Sequence, residues 1–521
     1  MKKSLLLSLF CLFCGVLSSQ NSTVLTYRNP VISGDFPDPS IIRVGEDYYA
    51  TGTTSDFAPN YPIYHSKDLI NWNRIGYVFY DTPDWIVGSC WAPELFYHNN
   101  TFYVYYTARK KSDNTSCIGV ATTQNISSGF KDYGPLIEWG NEAIDAFVFQ
   151  DTDEKLYITW KAYGLDDSRP IEILASELSS DGLSLIGEHF SLTKHNEGWI
   201  GRGDEGQCIV KHGEYYYHLY SIGGCCDNRC DYNVRVARSK HLKGHWEQYE
   251  NAILEGGELW KCSGHGTLVQ TPDNRYFYLY HAYNAYDFEF VGRQGLLDEM
   301  LWNEETQWPY FKMGNNPSAQ AEVPFKNTIQ QRETVFFDNF SPNQNNHAWQ
   351  WDMKLPKPII TRTESGLKLA GKEKPGMYFL GLNPLTGNYK METRIANSSA
   401  TFKGLSVYGN ADNWIAWGIK GSEIQLHEMK NGQQKTIYID TQTLENYPQV
   451  IYLKVESTLG RLFRAYWSLD QQEWHTFLEA NEHIDGSFIP RWGSGIHSGL
   501  MLENISGNEA IFSWFKMETI Y

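Results

Sequence analysis

Three acidic residues in the first half of the chain have the surroundings that acid–base cleavage of an acetal requires. Asp38 lies in Gly34-Asp35-Phe36-Pro37-Asp38-Pro39-Ser40, Asp145 opens the apolar run Ile144–Phe149, and Glu205 stands between Gly203-Asp204 and Gly206. Breaking a glycosidic bond takes one neutral carboxyl to protonate the leaving oxygen and one carboxylate to activate water. The prolines beside Asp38 restrict the backbone and withhold two N–H groups, which sets the direction of its side chain. Gly206 leaves room for close approach of a substrate. Neighbouring carboxyls raise one another's pKa, because a second negative charge nearby is unfavourable. On this reasoning Glu205 is the protonated acid, Asp145 the charged neighbour that keeps it so, and Asp38 the ionised base. The competing reading is a set of hydrogen-bonded polar residues with no chemistry.

These residues belong to a pattern that recurs five times. A polar residue opens a short apolar strand, and a Tyr/Phe-rich strand returns. The openers are Asp38, Glu94, Asp145, Glu205 and His265, and the returning strands include Tyr48-Tyr49, Phe102–Tyr106, Leu156–Ile158, Tyr215–Tyr217 and Tyr276–Tyr278. A period of roughly 50 to 60 residues predicts repeated β units of propeller type. First strands line a propeller's axis, so the five openers are expected to converge there.

At 521 residues the chain is long enough for two or three domains. Its 44 basic and 61 acidic residues give a net charge of -17, which argues against nucleic acid and anionic membrane as partners and favours a neutral one. Aromatic residues make up 15%, which suits both sugar-stacking platforms and ordinary β packing. Met1-Lys2-Lys3, an apolar run from Leu5 to Leu17 and Ser18-Ser19-Gln20 read as a signal peptide over 1–19, too short for a stable membrane span. Export is therefore expected. The bulky Phe13 before Cys14 argues against a lipid anchor. No later segment is long and apolar enough to span a bilayer. With Cys11 and Cys14 removed, an odd number of cysteines is left. The cluster in Gly223-Gly224-Cys225-Cys226-Asp227-Asn228-Arg229-Cys230 is expected to staple a loop by disulfides rather than bind zinc, since paired CxxC hooks are missing.

Short strand signals separated by turns run throughout, without sustained helical periodicity. Blade limits are expected near 27–85, 86–140, 141–200, 201–258 and 259–325, with Tyr27–Pro30 helping to close the ring. The stretch 315–332 reads as a linker. Alternating strands follow, and at that length they predict a two-sheet sandwich. The predicted class is all-β: a five-bladed β-propeller over 27–325 and a C-terminal β-sandwich over 333–521. Trp349, Trp351 and Trp417 are either ligand platforms or core.

Asp38-Pro39-Ser40, Trp91-Ala92-Pro93, Ile144-Asp145, Glu205-Gly206, Gly264-His265-Gly266 and Gly292-Arg293 together resemble, in order, the motif series of glycoside hydrolase family 43. The second unit resembles the concanavalin-like sandwich behind many of its β-xylosidases. The resemblance implies an inverting enzyme with base Asp38, pKa-tuning Asp145 and acid Glu205. It implies release of terminal xylose or arabinofuranose from plant-type oligosaccharides or polysaccharides, with a β-galactofuranosidase as an alternative, and no required cofactor. The retaining fructan-cleaving propellers fit poorly, because no Arg-Asp-Pro occurs. A sugar-binding protein without chemistry is disfavoured by the intact carboxyls. Trp91 is then expected to stack on a sugar, Arg293 to present a fork of donors to vicinal hydroxyls, and His265 to bind sugar or hold a structural calcium on the axis. Glu94 stands where the family commonly has Asp, so it is expected to bind a different hydroxyl or support Arg293. The cysteine insertion is expected to reshape the pocket rim.

Overall fold

The computed structural model describes residues 25–194, 204–344, 346–371, 375–441, 448–504 and 509–520. The expected signal peptide and Gly203 lie outside the described residues. Five four-stranded antiparallel sheets follow one another along the chain. Blade 1 comprises Ser40–Val44, Asp47–Thr51, Asn60–Ser66 and Asn73–Phe79. Blade 2 runs from Ile86–His98 through Thr101–Lys110 and Ser116–Thr123 to Lys131–Ile137. Blade 3 contains Glu142–Gln150, Leu156–Asp166, Arg169–Leu178 and Leu185–Lys194. Blade 4 is Glu205–His212, Tyr215–Ile222, Asn233–Ser239 and Glu247–Gln248. Blade 5 is Trp260–Gln270, Tyr276–Asn284, Arg293–Trp302 and Pro309–Phe311.

The Tyr/Phe-rich returning strands are second strands, sandwiched between neighbouring blades. Phe102 to Ala108 is accordingly buried without interruption, as expected for a strand covered on both faces. The ring closes where Thr26–Arg28 pairs with Gln320–Glu322 and the Tyr27 hydroxyl donates to the Leu297 carbonyl, 2.6 Å. The stretch read as a linker therefore supplies a ring-closing strand, too short to show an alternating pattern.

The C-terminal unit is a sandwich of an eight-stranded and a six-stranded sheet. Tyr389–Ala396 alternates buried and half-buried positions, because only one of its faces meets the core. Leu405, Leu426, Met391, Leu453 and Phe512 fill that core. Trp349 and Trp417 are buried in it too, so they are packing residues rather than sugar platforms. Trp351 instead pairs with Ala58, where the sandwich meets blade 1.

Candidate active site

The blades aim their axial residues by one repeated device. Each first strand of blades 2 to 5 carries a bulge against its second strand, between Trp91 and Glu94, Ile144 and Phe147, Glu205 and Cys208, and Gly264 and Thr267. A bulge inserts one residue and re-aims the side chains beside it. The inserted positions have left-handed backbone: Ala92 at φ 39°, Asp145 at 57°, Gly206 at 59° and His265 at 43°, with Asp38 at 52° in the matching place of blade 1. Four of these five carry a Cβ, a strain of roughly 1–3 kcal/mol each that persists only where the surroundings hold it.

The holding groups come from the preceding blade. Thr53 Oγ1 accepts the Ala92 N–H (2.7 Å), Thr107 Oγ1 that of Asp145 (3.0 Å) and Ser221 Oγ that of His265 (2.8 Å). His281 Nδ1, on blade 5, accepts the Asp38 N–H at 3.0 Å. This arrangement corrects the expected equivalence of five openers. Asp38, Asp145 and His265 are equivalent, whereas Glu205 precedes the inserted Gly206 and shares the place of Trp91. Glu94 lies two residues beyond Ala92. A sequence period of tens of residues cannot resolve an offset of one.

Asp38 is buried on one side of the axis. Its Oδ1 accepts from Arg293 Nη1 at 2.8 Å and its Oδ2 from the Thr53 hydroxyl at 2.7 Å. Burial alone would raise its pKa, but the Arg293 guanidinium, together with His265 and His281, outweighs that and holds the carboxyl well below the usual range. His281, buried beside it, is pushed down to about 4 by desolvation and then by Arg293, consistent with a neutral ring accepting the amide.

Arg293 is 4% exposed, and its Nη2 donates to the Gly493 carbonyl of the sandwich at 3.1 Å. The fork expected to face sugar hydroxyls is thus engaged by Asp38 and Gly493. Asp35 accepts the Arg293 N–H and the Gly495 N–H, each at 2.9 Å. Its own pKa is raised by burial to about 6.

The other side of the axis holds the second pair. Lys161 Nζ donates to Glu205 Oε2 at 2.7 Å, and the Tyr232 hydroxyl to Oε1 at 2.8 Å. Burial would raise the Glu205 pKa, yet the Lys161 ammonium, beside it and only 2% exposed, lowers it. Asp145 is pushed up to about 7, first by burial and also by the Glu205 charge, against the pull of His265 and Lys161. Burial thus favours the neutral form of Asp145, while the Lys161 ammonium favours the ionised form of Glu205. Lys161, which the sequence reading did not include, pulls against the expected placement of the proton on Glu205.

Between the two sides, His265 Nδ1 lies 3.5 Å from Asp38 Oδ1 and 3.9 Å from Asp145 Oδ2. Among the described residues no three His, Cys, Asp or Glu side chains are grouped to hold a metal ion. An imidazole nitrogen beside Asp38, whose oxygens are already engaged by Arg293 and Thr53, and a single further carboxyl, Asp145, do not make the oxygen cage calcium prefers. Trp91 is half-buried, with the Arg109 guanidinium 5.8 Å from its ring centre, so part of its face is open.

Glu94 does not meet Arg293. It sits one layer deeper, accepting from Ser40 Oγ at 2.7 Å, and burial pushes its pKa up to about 8. A neutral carboxyl paired to a serine serves the propeller core rather than a sugar hydroxyl.

The cysteine-rich insertion forms the rim beside Glu205. Cys225 is bonded to Cys226, and Cys230 to Cys262 in the first strand of blade 5, which anchors the loop carrying Tyr232. Gly493 of the sandwich donates its N–H to the Cys226 carbonyl at 3.1 Å. Sequence reasoning missed Lys161, Tyr232, His281, Thr53 and the Gly493–Gly495 loop. Only Lys161 left a signal, as the one charged residue in the run Leu156–Ala162.

The profile of glycosyl hydrolases family 43 matches residues 27–309, and that of the beta xylosidase C-terminal concanavalin A-like domain matches 337–518. A beta-xylosidase of Bacillus subtilis is 27% identical over 94% of this chain and 98% of its own length. The non-reducing end alpha-L-arabinofuranosidase BoGH43B of Bacteroides ovatus is 28% identical, covering 71% of this chain and 66% of that protein. The crystal structure of the GH43 protein BlXynB from Bacillus licheniformis superposes with a TM-score of 0.80 at 24% identity, over 95% of this chain and 100% of that one.

Proposed function

This chain belongs to glycosyl hydrolases family 43 and is a glycoside hydrolase, and from that premise we propose that it is an exported, inverting exo-glycosidase releasing terminal xylose or arabinofuranose. The observation that carries the reading is the division of protons across the axis. Asp38 is kept ionised by Arg293, while Asp145 and Glu205 together retain one proton to about pH 7. An ionised carboxylate on one side and a proton-bearing pair on the other is what water activation and leaving-group protonation require.

In the proposed reaction Glu205 protonates the glycosidic oxygen, and Asp38 takes a proton from the water that attacks the anomeric carbon. Asp145 stores the proton between turnovers and tunes Glu205. Trp91 offers a face for a sugar ring. Exo action is supported by the sandwich loop through Gly493 and Gly495, which binds Arg293 and Asp35 at the mouth of the propeller. The relatives named beta-xylosidase and non-reducing end alpha-L-arabinofuranosidase support the same class of terminal sugar. Export is supported by the two disulfides, which persist in oxidising compartments.

Release of 4-nitrophenol from the β-xyloside, α-arabinofuranoside and β-galactofuranoside, measured in parallel on the purified protein, tests the substrate. Turnover of the first or second is expected. Cleavage of the galactofuranoside alone would replace the substrate assignment.

A further inference from the structure

The five-fold repeat breaks at one position, and the break lies beside the proposed acid. Thr107, Ser221 and His281 occupy matching places on the second strands of blades 2, 4 and 5, Thr53 lies just past the end of that of blade 1, and each accepts the amide of the next blade's inserted residue. In blade 3 that place belongs to Lys161, which pairs with Ile144 as Thr107 does with Trp91 and Ser221 with Glu205. A lysine cannot accept an amide proton, and the next inserted residue is Gly206, whose backbone tolerates φ 59° without a Cβ penalty. The holding group has been exchanged for a buried cation. An unpaired buried ammonium is strongly unfavourable, and here its charge is met by Glu205.

We infer that Lys161 is a positioning residue for the acid: its ammonium aims the Glu205 carboxyl and bears the negative charge left there once the glycosidic oxygen has taken the proton. This rests on Glu205 being the proton donor proposed above. In the step, the Glu205 O–H and the glycosidic C–O bonds break as the alcohol O–H and the new C–O bond to water form. The second water proton goes to Asp38 and returns through solvent. Glu205 is left as a carboxylate 2.7 Å from Lys161 Nζ.

The other titratable groups facing Glu205 are Tyr232 from the blade 4 loop, His265 from blade 5 and Asp145 from blade 3; Tyr163 lies under Lys161, its ring centre 4.7 Å from Nζ. Among the described residues Lys161 is the only lysine or arginine of this group. The lowered pKa of Glu205 agrees with this placement.

The test is the pH profile of kcat/KM for Lys161→Met and Lys161→Arg, on 4-nitrophenyl β-xyloside or on the α-arabinofuranoside if that is cleaved faster. Lys161→Met is expected to move the basic limb up by about one pH unit or more, the effect of a nearby opposite charge. Lys161→Arg should leave the limb in place. An active Lys161→Met enzyme whose limb has not moved would overturn the inference.

If the methionine variant does not fold, infrared titration of the wild-type protein against Asp145→Asn and Glu205→Gln decides instead. The part of the neutral-carboxyl band toward pH 7 that exceeds the contribution of Glu94, itself neutral to about 8, should vanish in Asp145→Asn. Its loss in Glu205→Gln alone would mean that Lys161 does not hold Glu205 as the carboxylate. Undiminished turnover by Glu205→Gln would strike the acid assignment itself, separately from Lys161.

Discussion

On one side of the axis Arg293 serves Asp38 and Asp35; on the other Lys161 serves Glu205 and Asp145. Each half has one buried cation, one buried carboxyl and one half-buried carboxyl, and in each the cation holds the nearer carboxyl low while desolvation leaves the second high, about 6 for Asp35 and about 7 for Asp145. The halves differ in what the second carboxyl faces. Asp35 accepts two backbone amides, one of them from Gly495 of the sandwich, so its charge joins the domains. Asp145 faces His265 and Glu205, where its proton stays within the site. The same ingredients thus hold one carboxyl ionised on one side and favour a retained proton on the other.

The sharpest break of that contrast removes a reacting group from either side. Asp38→Asn and Glu205→Gln should each lower kcat by about 10³-fold or more, within the range for loss of a general base or acid, with KM for the glycoside little changed by Asp38→Asn. Arg293→Met should come next. It leaves buried Asp38 and half-buried Asp35 without their cation, and should cost about 3 kcal/mol of stability in denaturant titration, as breaking a buried pair does, together with most of the activity.

Asp145→Asn probes the other half through pH. With Asp145 neutralised, Glu205 is left alone with Lys161, so the form that donates a proton is lost at lower pH. The basic limb of kcat/KM should fall below the wild-type position near 7 and activity at neutral pH should drop, with the acid limb set by Asp38 unmoved. An unmoved basic limb would show that Asp145 does not share the proton.

The smallest effect is expected at Glu94, outside both halves. Its pKa rises from an ordinary 4.5 to about 8 on folding, so the folded state binds its proton more tightly. The stability this contributes is complete below about pH 4.5 and is lost as pH rises through 8. Glu94→Gln should therefore remove part of the decline in stability between those pH values, while kcat/KM changes by no more than about twofold, as for a group away from the chemistry. A large rise in KM would restore Glu94 to the sugar.

How much of this was legible in the chain depended on the range of the interaction. The five returning strands show in the sequence because both faces of each are covered, and the sandwich shows because its strands alternate. Asp38, Asp145 and Glu205 stand out because carboxyls beside prolines, apolar runs and glycines are conspicuous. The one-residue offset of Glu205 from Asp145 is invisible, since a bulge depends on pairing with the next strand. The Lys161–Glu205 pair spans 44 residues and the Asp35–Gly495 bond 460, so neither leaves a local pattern. Lys161 is therefore the cation that the sequence reading left out of the balance between Asp145 and Glu205.

The most direct test of opposed roles for Asp38 and Glu205 is the proton NMR spectrum of the first sugar released from a nitrophenyl glycoside, recorded before the anomers equilibrate. Water directed by Asp38 against a bond protonated from the Glu205 side must give the inverted anomer. Initial appearance of the retained anomer would contradict that account.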